Sequence, residues 1–182
     1  MKIGPGRFNT YLWLILGLAL ICGCQTGSSE KKAPKSGYRI LRLHLEVNPD
    51  GTDKSSTVMV GRQSSFPVNV EKGPFIDEHH LVRASVVEDD LGGFAIRLQF
   101  NRQGTWLLEQ YTVSHKGKRI AVFSELDTLR WLAAPVITKS LDAGVFTFTP
   151  DATREEADKL VLGLTATIKK LRNRTTLNDE LR

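Results

Sequence analysis

The chain opens with a short cationic start, Lys2 and Arg7, and then an almost wholly apolar run at residues 11–21 that decides which residues are left to fold. As a helix this run would span roughly 16 Å at ~1.5 Å per residue. A bilayer core is about 30 Å thick and needs ~20 residues, so the run reads as the core of a signal peptide.

Ile21-Cys22-Gly23-Cys24 closes that run. A branched aliphatic, a tolerant position, a small residue and a cysteine resemble the bacterial lipobox, which directs lipid onto the thiol and cleavage just before it. Cys24 is therefore the expected lipidation site, and residues 1–23 the expected signal peptide. Cys22 competes poorly, because bulky Ile21 would precede its cleavage point. The plainer alternative is an ordinary secretory signal that ends in cysteines.

Cleavage there leaves one cysteine, already carrying lipid, so no internal disulfide is open to the mature chain and its core must stand on packing. Residues 24–182 are enough for one ordinary domain. The formal charge of +5 falls to +3 once Lys2 and Arg7 leave. Such a balance argues against a nucleic-acid partner. The expected partner is instead a lipid membrane, held through acylated Cys24. That places the chain in the cell envelope, on the periplasmic face of an outer or inner membrane or the outer face of a cytoplasmic membrane. Residues 24–37 contain no aromatic or large aliphatic side chain and read as a flexible tether.

The domain expected at 38–172 mixes strands with two helices. Residues 39–47 alternate, with Leu41, Leu43, Leu45 and Val47 on one face. Short strands are expected at 57–60 and 66–70, a helical turn at 77–81, and strands at 82–88 and 96–100 around a hairpin loop. Asn101 is placed to cap a helix over 102–116, closed by Lys116 and Gly117. Strands follow at 119–123, 128–134 and 145–148, the first so apolar that it should be central. Thr153 and Glu156 form a capping box. Ala157, Leu160, Val161, Leu164, Ile168 and Leu171 then line one face of a helix over 153–172. Lys169, Lys170, Arg172 and Arg174 crowd its expected end, where the helix dipole favours cations; a basic membrane-facing patch is the other reading. Residues 173–182 read as a polar tail. Trp106 and Trp131 are expected in the core or at its edge.

Catalytic signals are absent. His79 and His80 sit beside Asp77 and Glu78, but neighbours on a helix or strand point apart, and no third ligand is spaced to make a metal site. His44 and His115 read as surface or core residues. Asp89-Asp90 suits a bend and Glu155-Glu156 a helix start. No serine occupies a nucleophile elbow, and no glycine-rich loop cradles a phosphate. Neither a cofactor, a metal nor a catalytic residue is assigned.

Gly117-Lys118-Arg119-Ile120 opening a strand, then Ala134-Pro135-Val136-Ile137, then Gly144 before a strand, then Glu155-Glu156-Ala157 starting a helix, form an ordered series. With 84–88, 95–100 and Gly104 upstream, this series resembles the head subdomain of the first periplasmic domain of SecD, of the SecDF protein-export family. The resemblance is strongest over 66–171. It implies an α+β fold with a mixed, largely antiparallel sheet and two main helices packed on it. It also implies a non-enzymatic domain that binds exported polypeptide or Sec components. SecD's membrane helices have no counterpart in the sequence, so proton-driven work is not expected. The alternatives are a cell-envelope enzyme with a dispersed site and a purely structural envelope lipoprotein.

Overall fold

The computed structural model describes residues 37–180, apart from residues 50, 63, 90, 91 and 127 and the side chains of 175–180. The expected signal peptide, Cys24 and the tether up to residue 36 lie outside the described residues.

Among the described residues nine strands, a 3₁₀ turn and two α-helices follow one another: β1 Leu41–Leu45, β2 Ser55–Val60, β3 Phe66–Glu71, β4 Ile76–Asp77, the turn Glu78–His80, β5 Leu81–Glu88, β6 Phe94–Phe100, α1 Arg102–Ser114, β7 Ile120–Glu125, β8 Leu129–Ala133, β9 Val145–Phe148 and α2 Arg154–Glu180. The α+β class with two helices stands. The strands divide into three antiparallel sheets, ordered β4-β1-β7-β8, β2-β3 and β5-β6-β9.

The first sheet is covered on both faces. Leu41, Leu43, Leu45, Ile120 and Val122 turn to the main core. On the opposite face the β2–β3 hairpin brings Val60, Val68 and Val70 onto Ala121 and Ala134, with Val58 and Trp131 packed alongside. That second layer explains the unbroken apolar run of β7, an inner strand whose two faces both meet protein. It also buries His44, directly opposite Ala121.

α2 lies across β5 and β6, with Ala157, Leu160, Leu164 and Ile168 buried along one stripe. Removing a fully exposed leucine of this kind from water contributes about 1.5–3 kcal/mol. Its start is the expected capping box: Thr153 N donates to Glu156 Oε2 at 2.8 Å and Glu156 N to Thr153 Oγ1 at 3.2 Å. Its end differs from expectation. The helix runs to Glu180, past residue 172 where a polar tail was expected. The apolar repeat stops near Leu171, but nothing in 172–180 breaks a helix already propagating, since the stretch has no Gly or Pro.

α1 packs against β4 and β6 and buries Gly104, Leu108 and Thr112. Asn101 caps it by accepting from Gly104 N at 2.8 Å. It ends at Ser114, earlier than expected, with His115 N donating back to Tyr111 O. Trp106 is 58% exposed, contrary to its expected place in the core or at its edge, because it stands on the face of α1 opposite Gly104 and Leu108. Trp131 lies at the edge of the second cluster, edge-on to His44 with ring centroids 5.0 Å apart.

Candidate functional site

The Gly117–Arg119 and Ala134–Ile137 segments, far apart in sequence, pair with each other. Gly117, at φ +84°, donates its N–H to Ile137 O at 2.9 Å. Ile137 N donates to Lys118 O at 2.7 Å and Ile120 N to Pro135 O at 3.0 Å. Arg119 bridges Val136 and sends Nη1 to Ala134 O at 3.0 Å. Ala134-Pro135 is thereby fixed as a wall with a cleft on each side.

One cleft, of about 550 Å³, lies between this wall, the tip of the β2–β3 hairpin and residues 149–151. Phe66 stands at its edge under the Arg119 guanidinium, 5.3 Å from the ring centroid. Arg62 closes the other side, its N–H on Asp151 and its guanidinium on Glu156. Glu156 is held below the usual carboxylate range by the Thr153 N–H first, then by Arg62 and Arg130, against a smaller opposing effect of burial.

The other cleft, of about 610 Å³, is bounded by residues 135–143 and by Val145, Phe146 and Thr147 of β9. Successive strand residues point to opposite faces, so a cleft that touches three in a row meets the strand edge-on. β9 pairs only with β6, and among the described residues no strand covers its other side. Phe100 N donates to Gly144 O at 2.9 Å, and the register continues as Leu98↔Phe146 and Ile96↔Phe148. In an antiparallel ladder alternate pairs exchange hydrogen bonds. Gly144, Phe146 and Phe148 therefore spend their backbone groups on β6. Val145 and Thr147 direct their N–H and C=O into the cleft. α1 holds the facing loop: Thr112 Oγ1 accepts from Leu141 N at 3.0 Å, and Gly144 presses on Thr105.

The histidines behave differently from expectation at one point. His79 and His80 do not point apart; both turn Nδ1 to Asp77, at 3.4 and 2.9 Å. They sit on a 3₁₀ turn that Asp77 caps, and Asp77 Oδ1 also accepts from His79 N at 3.0 Å. Burial alone would raise the Asp77 carboxyl, but the His79 N–H and the two imidazoles hold it below its ordinary value. The group is a cap with its bonds committed to the turn. His44 gives its Nδ1 to Glu71 O at 2.8 Å, and burial depresses its basicity. His115 stacks on Tyr111. Among the described residues no group of three or more His, Cys, Asp or Glu is placed to hold a metal ion. An open strand edge leaves no pattern in the sequence, so the residues of β9 alone do not mark it as one.

The described residues form a small α+β domain with an open sheet edge over a cleft. The SecDF, P1 head subdomain family matches residues 55–168, and the chain belongs to that family. The match begins at β2, earlier than the 66–171 span of strongest resemblance. Two solved structures share the fold. One is the structure of SecDF described as a membrane component that enhances protein export, at 18% identity and TM-score 0.51, covering 89% of this chain and 70% of that one. The other is SecDF in a super-membrane-facing form, at 19% identity and TM-score 0.51, covering 71% of this chain. The aligned part spans 19% of the length of that second protein. No curated protein matches the sequence. Among the described residues no helix is long and apolar enough to cross a membrane.

Proposed function

We propose that this protein is an envelope lipoprotein, anchored through acylated Cys24, whose SecDF-head domain binds extended polypeptide along the free edge of β9 as a non-enzymatic accessory to protein export. One observation carries this reading: the outward N–H and C=O groups of Val145 and Thr147 open onto a cleft walled by the family's own Ala134–Ile137 segment. An extended chain laid there adds a strand and satisfies groups that sequence-independent recognition requires. Each bond contributes only about 0.5–1.5 kcal/mol, which suits transient contact with a passing chain. The lipobox at residues 21–24 supports the anchor, and the use of Asp77 and His80 as a structural capping box supports a non-enzymatic role.

The test is in-cell photocrosslinking from Lys139 and Thr147, with Ser56 on the distant hairpin as control. Crosslinks from the cleft to newly exported chains or Sec components are expected. Thr147→Pro should remove them, because it deletes one outward N–H while an edge strand tolerates proline; Thr147→Val should not. Equal labelling from cleft and control positions, or crosslinks that survive Thr147→Pro, would overturn the reading. Mass spectrometry of the mature N-terminus tests Cys24 separately.

A further inference from the structure

The cations at the far end of α2 are not where a helix dipole accounts for them. Lys169, Lys170, Arg172 and Arg174 are all exposed, and the helix continues to Glu180 with no basic residue in its last turn. Dipole effects fade within one turn of the terminus. Acids are also segregated: Glu155, Glu156 and Asp158 sit in the first turns and pair with Lys159, Arg62 and Arg154, whereas no acidic residue follows until Asp179. Exposed Arg83 on β5 adds a further charge beside the same half of the helix, across a cleft lined by Thr165, Lys169 and Arg172. A neighbouring groove has Leu81, Val82 and Ile168 in its lining, with Arg172 and Arg174 beside them and Glu78 as its one acid.

The start of the domain is fastened to this same half of α2. Arg39 N donates to Thr167 Oγ1 at 2.9 Å, and Thr167 Oγ1 lies 2.8 Å from Arg39 O. Lys170 Nζ stands 3.9 Å from the centroid of the Tyr38 ring. The bare backbone of Gly163 admits the strap: a Cβ there would sit 2.8 Å from Gly37 O and 2.3 Å from Arg39 Cγ. Gly37, Tyr38 and Arg39 therefore lie against the stripe of α2 that carries Gly163, Thr167 and Lys170. If residues 25–37 behave as the tether expected from their composition, they separate Cys24 from this point by about 20 Å.

We infer that this basic half of α2, with Arg83, rests on the anionic phospholipid surface in which Cys24 is anchored. The inference depends on the lipid anchor proposed above. Acyl chains hold the protein at the bilayer. The cations, brought within tether reach of it, then select one face of the domain for the headgroup phosphates. That face is made by α2 and β5, whereas the β9 cleft belongs to the opposite edge of the β5-β6-β9 sheet.

The experiment uses the acylated full chain in vesicles, with a fluorophore on Thr165→Cys and an acceptor on lipid headgroups. Acylated Cys24 has no free thiol, so the label is specific. Energy transfer is expected to rise when phosphatidylglycerol replaces part of the phosphatidylcholine. The rise should be lost near 1 M salt, where the screening length is about 3 Å, and in the Lys169→Glu/Lys170→Glu/Arg172→Glu/Arg174→Glu variant. A label on Ser64→Cys should not show the rise. Transfer that ignores lipid charge, or survives charge reversal, overturns the inference while leaving the anchor intact. Should mass spectrometry find Cys24 bare, binding of the non-acylated chain to phosphatidylglycerol vesicles alone would uphold the basic face and reject the anchor. Absence of that binding would reject both.

Discussion

A Cβ placed on Gly144 would lie 2.1 Å from Thr105 Oγ1, so the loop entering β9 meets α1 with bare backbone. Gly144 also has φ +66°, in the left-handed region. Gly144→Ala should therefore cost more than the usual glycine substitution, about 1–3 kcal/mol from overpacking, with backbone strain in addition. Denaturant unfolding checks this, and Thr105→Ala in the same chain should restore part of the loss. A neutral Gly144→Ala would mean that the contact yields freely and that the cleft loop is not held by α1.

Glu156 joins the α2 cap to Arg62 and Arg130, the latter at 3.5 Å. Glu156→Gln keeps some capping but loses the charge; Glu156→Ala loses both. Alanine should destabilise by about 0.5–2 kcal/mol, with glutamine in between. Because this carboxyl is held below 4.5, its contribution is present at neutral pH and disappears as pH falls through its folded value. Thermal melts at pH 7 and pH 3 should show the variants converging with the parent in acid.

His44 works in a different pH window. Burial keeps its folded basicity below the ordinary 6.5. The unfolded chain therefore takes up a proton first as pH falls below about 6.5, and folding stability drops with it. Above that value both states are neutral and the ring contributes no slope. His44→Phe should flatten the stability profile between pH 7.5 and 5.5, whatever it does to stability at pH 7.5. An unchanged slope would place its origin elsewhere.

Leu164 is fully buried against the sheet, whereas Leu162 on the same helix is 50% exposed. Leu164→Ala should cost about 2–5 kcal/mol in urea unfolding. Leu162→Ala should stay within about 0.5 kcal/mol. Similar losses at both positions would show that the outer face of α2 is covered in the native protein.

Much of the fold was legible from periodicity, since each strand and helix is patterned by the face it buries. β9 begins and ends where its alternation and Gly144 place it, and the Thr153–Glu156 box starts α2 as read. Misreadings arose where pattern and structure have different causes. The apolar stripe of α2 ends near Leu171 because the sheet beneath it ends, while the helix itself continues on its own hydrogen bonds. Trp106 is expected in the core or at its edge, but its angle around α1 carries it outward. His79 and His80 meet at Asp77 because a capped 3₁₀ turn follows neither helix nor strand periodicity.

Taken alone, the sequence determined the α+β class, the order of elements and the likeness to the SecDF head, because these depend on local spacing and on residues within one segment. Tertiary structure decided the rest. The β2–β3 hairpin buries His44 on a strand face that alternation alone leaves open. The Gly117 and Ile137 segments become one wall only when they pair. Val145 and Thr147 become an open edge only because, among the described residues, no second strand lies beside β9. Which backbone groups remain without a strand partner is a property of the whole assembled sheet, and no window of residues encodes it.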